Sequence, residues 1–109
     1  MYHVFLLNPL AGNGKFQFGL KEKIEAMAEK ENLDYMVHVT TDIGNAREIT
    51  EHFRPNEDAR FYAIGGDGTL NEVVNGVLNR KGRGEIGVIP CGTGDDFIRL
   101  FPSKEPFLN

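Results

Sequence analysis

The chain has 109 residues, of which 40% are hydrophobic, and its formal net charge is −4 with a pI near 5.3. This size suits one domain with one core, and the acidic balance argues against nucleic-acid binding, which favours a basic face. With a single cysteine, no apolar stretch near the ~20 residues of a membrane span and no signal-peptide pattern, we expect a soluble cytoplasmic domain without an intrachain disulfide or transmembrane segment.

The first predicted elements are a strand, a turn-rich loop and a helix. Residues 4–7 are a continuous apolar run, which suits a strand buried on both faces of a parallel sheet. The loop over residues 8–15 is rich in turn residues, and a helix is predicted from about 17 to 32. Four apolar residues of this helix form a buried stripe: Leu20, Ile24, Met27 and Ala28.

The next elements repeat this alternation. Residues 35–40 are β-prone and predict a second strand, which a polar connection over residues 41–44 links to a helix from about 45 to 53. Residues 54–58 end this helix, and a third strand is predicted over residues 60–64. The inward-facing residues of the second helix are expected to be Ala46, Ile49 and Phe53.

The third strand runs into the segment Gly-Gly-Asp-Gly-Thr-Leu-Asn-Glu over residues 65–72. Three glycines in four positions remove Cβ atoms where the backbone bends sharply or approaches a ligand. Thr69 and Glu72 have the spacing of a capping box, so we expect both to satisfy backbone N–H groups in the first turn of a third helix. An apolar stripe follows: Leu70, Val73, Val74, Val77 and Leu78.

This junction of strand, glycine turn and helix predicts an anion site. The first turn of the helix directs N–H groups and a partial positive charge toward the glycine turn, and phosphate is the usual anion at such a place. The alternative is a glycine-rich turn that only reverses the chain.

The last elements complete an α/β pattern. The third helix is predicted to end near Asn79, a short strand spans residues 86–89, and a short helix covers about 95–100, before Pro102 and Pro106. Alternation of this kind predicts a doubly wound, mainly parallel sheet with flanking helices. Ligands bind at the carboxyl ends of the strands in such sheets, where the loops after residues 7, 39, 64 and 89 meet.

The order Gly-Gly-Asp-Gly-Thr followed by Leu-Asn-Glu-Val-Val-Asn-Gly-Val, residues 65–77, resembles the nucleotide-binding motif of the diacylglycerol kinase catalytic domain family, which includes bacterial lipid kinases and sphingosine kinases. The resemblance covers nearly the whole chain. Asn8-Pro9-x-x-Gly12 is similar to the family's first loop, Thr40 to an ATP-contacting threonine, and residues 90–97 to its Pro-x-Gly-Thr-x-Asn-Asp-Phe segment. The nucleotide-binding residues that this implies are Asn8, Pro9, Leu10, Ala11, Gly12, Thr40, Gly65, Gly66, Asp67, Gly68, Thr69, Leu70, Asn71, Glu72, Gly92 and Thr93.

The resemblance implies that residues 1–109 are the ATP-binding domain of a lipid kinase, with an NAD kinase/diacylglycerol kinase-like N-terminal fold, that uses ATP and Mg²⁺ to phosphorylate a lipid hydroxyl. In that family the lipid surface and the catalytic base belong to a second, β-rich domain C-terminal to this one. We therefore expect no catalytic residue in this chain, no lipid turnover by it alone, and a full-length protein that is cytoplasmic or peripheral at the inner membrane face. The face that would meet the second domain could also pair with itself in a homodimer.

Two other functions remain open: an NAD kinase-like domain, which shares the Gly-Gly-Asp-Gly-Thr core, and a non-enzymatic nucleotide-binding module. Asp67 either holds the glycine turn or helps to bind Mg²⁺ on the ATP phosphates, and the two roles are compatible. Asp95 departs from the family's usual asparagine and places an extra carboxylate beside a phosphate site. Lys15 could reach a phosphate or could equally be a solvated lysine at the start of a helix. Four further residues are interpreted as structural: Cys91, His3, His38 and His52.

Overall fold

Strands and helices alternate along the chain. The structure, a computed structural model, describes residues 1–8 and 17–89, and the predicted helix at 95–100 lies outside them. The predicted elements within the described residues are present; several ends coincide with the prediction and the others are displaced by no more than three residues. They are β1 (Tyr2–Leu7), α1 (Gln17–Lys30), β2 (Asp34–Val39), α2 (Asn45–His52), β3 (Ala59–Ile64), α3 (Asp67–Asn79) and β4 (Gly84–Ile89).

The four strands form one parallel sheet in the order β2-β1-β3-β4, which confirms the predicted fold class. Leu7 is in register with Val39 on one side and with Ile64 on the other, and Ile64 is in register with Ile89. The strands therefore end at the same level. As a result, the first residues of several loops lie along one edge of the sheet.

Each face of the sheet has its own apolar cluster. On the face that α1 covers, Phe5 and Ile24 are fully buried; on the face that α2 and α3 cover, Phe61 and Val73 are fully buried. Ile24, Met27 and Ala28 of the stripe predicted for α1 are buried, and Leu20 is partly buried against the cluster that contains Ile24. None of the helices among the described residues is long and apolar enough to cross a lipid bilayer.

Helices α2 and α3 pack against each other through a glycine. An ideal Cβ atom on Gly76 would lie 2.6 Å from Cβ of Thr50 and 2.9 Å from the carbonyl oxygen of Arg47, distances that real Cβ atoms do not tolerate. The prediction that Leu78 belongs to the buried stripe of α3 is wrong, because its side chain is 75% exposed. The small residue Gly76 takes part in the helix contact instead, since it lets the two backbones approach.

Arg80, directly after α3, extends its side chain to the carboxyl end of α2. Its guanidinium is buried and donates hydrogen bonds to the carbonyl oxygens of Thr50 at 3.2 Å and of Glu57 at 3.1 Å. Further bonds reach the carbonyl oxygens of Phe53, Arg54, Lys81 and Arg83. A cation near the last carbonyl groups of α2 also complements the negative end of its dipole.

His3 lies in β1 at the end of the sheet opposite the aligned strand ends. Its Nδ1 atom is 2.9 Å from the hydroxyl oxygen of Tyr62. Burial, and to a lesser degree the charges of Arg60 and the N-terminus, lowers the pKa of His3 from 6.5 to about 4, while Asp34 and Glu85 act in the opposite direction.

This pKa predicts acid sensitivity of the fold. Because the folded state keeps His3 neutral, the contribution of His3 to the free energy of unfolding is at its full value above pH 6.5. It falls as the pH drops from 6.5 toward 4, a range in which the unfolded chain gains the proton and the folded chain does not. Urea denaturation across this pH range measures the effect. The variant His3→Gln keeps a hydrogen-bonding side chain without titrating, so its unfolding free energy should fall less steeply; an identical slope in both proteins would contradict the prediction.

Candidate functional site

Backbone hydrogen bonds join the ends of three strands. The backbone N–H of Asn8 donates to the carbonyl oxygen of Ile64, and that of Thr40 donates to the carbonyl oxygen of Leu7, each at 2.9 Å. The side chain of Thr40 is buried and its hydroxyl lies 3.5 Å from the same Leu7 oxygen. The residues that leave the sheet at this edge therefore start from fixed positions.

A cavity of about 340 Å³ opens at this edge, between the strand ends and the amino ends of α2 and α3. Its walls come from the end of β1, the segment after β2, and the glycine turn after β3. The lining residues are Asn8, Thr40, Thr41, Asp42, Ile43, Ala46, Gly65, Gly66, Gly68, Thr69 and Glu72.

Seven of the sequence-predicted site residues line this cavity: Asn8, Thr40, Gly65, Gly66, Gly68, Thr69 and Glu72. Three others lie on α3 without lining it: Asp67, Leu70 and Asn71. The remaining predictions fall outside the described residues: Pro9, Leu10, Ala11, Gly12, Lys15, Cys91, Gly92, Thr93 and Asp95.

Sequence reasoning missed the wall formed by residues 41–43 and by Ala46. The signal was present, because residues 41–43 directly follow the β-prone run 35–40 and must leave the sheet at its carboxyl edge. Ile43 on this wall is 99% exposed, so its side chain stands at the cavity rim without covering a core.

The glycines of the turn have different roles. A Cβ atom on Gly65 would lie 2.5 Å from Oγ1 of Thr69 and 2.9 Å from Cβ of Asn8, so the close packing of the turn excludes a side chain there. Among the residues that the structure describes, Cβ atoms on Gly66 or Gly68 would meet nothing within 4 Å, and Gly66 has an extended backbone that any residue can adopt. Gly66 and Gly68 therefore leave space on the cavity side rather than relieve strain in the fold.

Helix α3 directs an end without a side-chain cap toward the cavity. It begins at Asp67, two residues before Thr69, and in the described part of the chain no side chain caps its first turn. The predicted capping role of Thr69 is therefore wrong: its hydroxyl is buried and lies 3.4 Å from Nδ2 of Asn8, which donates to it. Because the first N–H groups of a helix have no intrahelical acceptor, this end can bind an anion.

The predicted role of Glu72 as the second half of that capping box is also wrong. Its carboxylate accepts hydrogen bonds from the backbone N–H groups of Gly44 at 3.0 Å and Ala46 at 3.1 Å, at the start of α2. Glu72 lies in the second turn of α3, where the packing of α3 against α2 places the start of α2 within reach of its side chain. It therefore caps its neighbour instead of its own helix.

The charges around the cavity suit a phosphate that carries a metal ion. No lysine or arginine is among the described lining residues, and Asp42 and Glu72 both contribute carboxylates. Asp67 is exposed at the first position of α3, and the described residues hold no group of three side chains that would bind a metal by itself. One carboxylate is sufficient when phosphate oxygens and water supply the other ligands of Mg²⁺, so these residues fit Mg²⁺ delivered with a nucleotide.

Comparisons with known proteins point to one family. The sequence model described as "Diacylglycerol kinase catalytic domain" matches residues 3–107. The chain is similar to a diacylglycerol kinase of Staphylococcus epidermidis, with 38% identity over 94 residues, and to one of Bacillus subtilis (strain 168), with 36% over 94 residues. These matches cover 86% of this chain but 29% and 31% of the two relatives, so the chain spans less than a third of their length.

The fold is shared with two solved structures of a candidate diacylglycerol kinase from Bacillus anthracis str. Sterne. One matches with a TM-score of 0.61 and 26% sequence identity over 84% of this chain and 33% of that chain. The other has a TM-score of 0.70 and covers 95% of this chain and 40% of that one; at 20% identity it supports the fold alone.

Proposed function

The chain belongs to the diacylglycerol kinase catalytic domain family, and from this membership we propose that it is the ATP-binding part of a lipid kinase, which transfers the γ-phosphate of ATP to a lipid hydroxyl. The observation that carries the proposal is the amino end of α3, which no side chain of the described residues caps and which opens into the cavity beside Gly66 and Gly68. Phosphoryl transfer requires positioning and charge neutralisation more than covalent help from the protein, and this end supplies both backbone donors and a dipole.

The chemistry of each cavity wall supports a position for the nucleotide in this proposal. Its phosphates lie against the N–H groups of residues 66–69, where the absent side chains of Gly66 and Gly68 permit close approach. Thr40, Thr41 and Asn8 contribute polar groups on the sheet side. Mg²⁺ on the phosphates offsets their charge, and Asp67 is the carboxylate placed to bind it or to orient its water ligands.

We assign the binding site for the lipid acceptor and the catalytic base to a part of the protein outside these 109 residues. The greater length of the relatives supports this assignment. The 109-residue chain then binds nucleotide without phosphorylating lipid. The complete enzyme works in the cytoplasm and meets its lipid at the membrane surface.

The variant Gly66→Val tests the proposal. We expect the wild-type chain to bind Mg·ATP saturably in a calorimetric titration and the variant to lose at least about 100-fold in affinity, because a branched side chain would occupy the space that the phosphates need. The melting temperature should change little, since a Cβ atom at this position meets no atom of the described residues within 4 Å.

A matched control separates blocked binding from damage to α3. Leu78→Val places the same side chain on the same helix, at an exposed position that does not line the cavity, and should bind as the wild type does. A folded wild type that binds no Mg·ATP, or a Gly66→Val variant that binds normally, would contradict the proposal.

A further inference from the structure

Two helix amino ends, not one, face the cavity. Ile43 and Ala46 bring the start of α2 to its wall, as Gly66 and Gly68 bring the start of α3. Each end carries a partial positive charge and N–H groups without an intrahelical acceptor. The cavity thus has two places where an anion could bind, one at the start of each helix.

The amino end of α2 is already occupied by a side chain of the protein. Oε2 of Glu72 accepts the N–H of Gly44, while Oε1 accepts those of Ala46 and Arg47 at 3.1 and 3.4 Å. The N–H of Asn45 donates to the carbonyl oxygen of Asp42 at 3.0 Å. Every N–H of residues 44–47 therefore has an acceptor, and the two carboxylate oxygens stand where phosphate oxygens would bind.

This contact also fixes the wall of the cavity. Residues 41–44 connect the end of β2 to α2, and the Glu72 carboxylate attaches the last of them to α3. Arg80 holds the opposite end of α2 through the carbonyl oxygen of Thr50. A shift of α2 relative to α3 would break bonds at both ends, so the spacing between the wall and the phosphate-binding turn is set.

We propose that Glu72 is a positioning residue: its carboxylate fills the anion site of α2, so that the nucleotide phosphates bind at α3 alone and residues 41–44 stay at the correct distance to contact the rest of the nucleotide. This inference rests on the proposed function and deepens it, because it assigns one of two similar helix ends to the phosphates. Glu72 acts through α2, whose first N–H groups its carboxylate binds.

Small-anion rescue distinguishes this role from general support of the fold. In Glu72→Ala we expect the dissociation constant for Mg·ATP to rise about tenfold, since the three charge-assisted hydrogen bonds from the start of α2 are lost. Added formate should restore much of the affinity by binding the vacated N–H groups of α2, and should leave wild-type binding unchanged. Glu72→Gln keeps one acceptor oxygen, so its affinity should lie between the two proteins and respond less to formate.

The controls make each result decisive. Glu48→Ala removes another carboxylate from the first turn of α2, one that is exposed and does not line this cavity, and should keep wild-type affinity without a response to formate. Titrations are carried out well below the melting temperature of each protein, and if Glu72→Ala does not fold, Glu72→Gln is compared with wild type instead.

The outcomes separate the two proposals. A wild type that binds Mg·ATP, with unchanged affinity in the folded Glu72 variant, overturns the positioning role alone, as does weakened binding in folded Glu72→Ala that formate does not restore. A folded wild type that binds no Mg·ATP overturns the proposed function and this inference together.

Discussion

Replacing Arg80 with methionine should lower the free energy of unfolding by about 3 kcal/mol or more, because buried acceptors that lose a charged donor bear their full desolvation cost. Methionine fills much of the same space, yet it donates nothing to the carbonyl oxygens of Thr50, Glu57 and Arg83. The guanidinium also lies 5.1 Å from the ring centre of Phe61, a contact that methionine retains only in part.

Urea denaturation of three variants checks this expectation. Arg80→Lys keeps the charge but cannot donate in several directions, so it should lose about half as much stability as Arg80→Met. Arg83→Met is the matched control: its exposed side chain has no such role, and its effect should stay within about 0.5 kcal/mol. An Arg80→Met variant as stable as the control would show that the carbonyl groups find water instead.

The second large effect is expected at Gly76. Gly76→Val should destabilise the fold by about 3 kcal/mol, since overpacking a tight contact forces backbones apart. The first added carbon alone would approach Cβ of Thr50 to 2.6 Å and the carbonyl oxygen of Arg47 to 2.9 Å, and the second of these atoms belongs to the backbone and cannot rotate away.

Gly76→Ala decides between two opposing effects. Alanine improves the intrinsic helix propensity of α3 by about 1 kcal/mol, while the clash with α2 costs about 1–3 kcal/mol. We expect the clash to be larger, so that Gly76→Ala is less stable than wild type but more stable than Gly76→Val. Thermal denaturation measures the order, and an alanine variant with a raised melting temperature would show that the helices separate at little cost.

Local patterns in the sequence predicted most of the fold. The apolar run at 4–7 and the glycines after Ile64 specify a buried strand and a strand-to-helix turn without reference to the rest of the chain. Because the carboxyl ends of parallel strands share an edge, these local predictions also placed Asn8, Thr40 and the glycine turn beside one cavity, as the structure has them.

What the sequence could not reveal depends on contacts between distant residues. Glu72 has the spacing of a capping box with Thr69, yet its acceptor oxygens serve Gly44, 28 residues earlier. Arg80 resembles any polar residue at the end of a helix until the carbonyl oxygen of Thr50, 30 residues earlier, is seen to be its partner. Leu78 fits the periodicity of the buried stripe, but α3 turns that position to solvent. Helix periodicity gives a face, whereas neighbouring elements decide how wide the buried part of that face is.

The bonds from Glu72 and Arg80 to the two ends of α2 have a consequence for the local stability of that helix. With eight residues, α2 is shorter than the ~12–15 residues that make an isolated helix even marginally stable in water. Its two ends depend on Glu72 and Arg80, so its helical state lasts only while α3 is docked beside it. Amide protons of α2 should therefore exchange with solvent through openings that release α2 from α3, and residues 41–44 of the cavity wall should open together with α2.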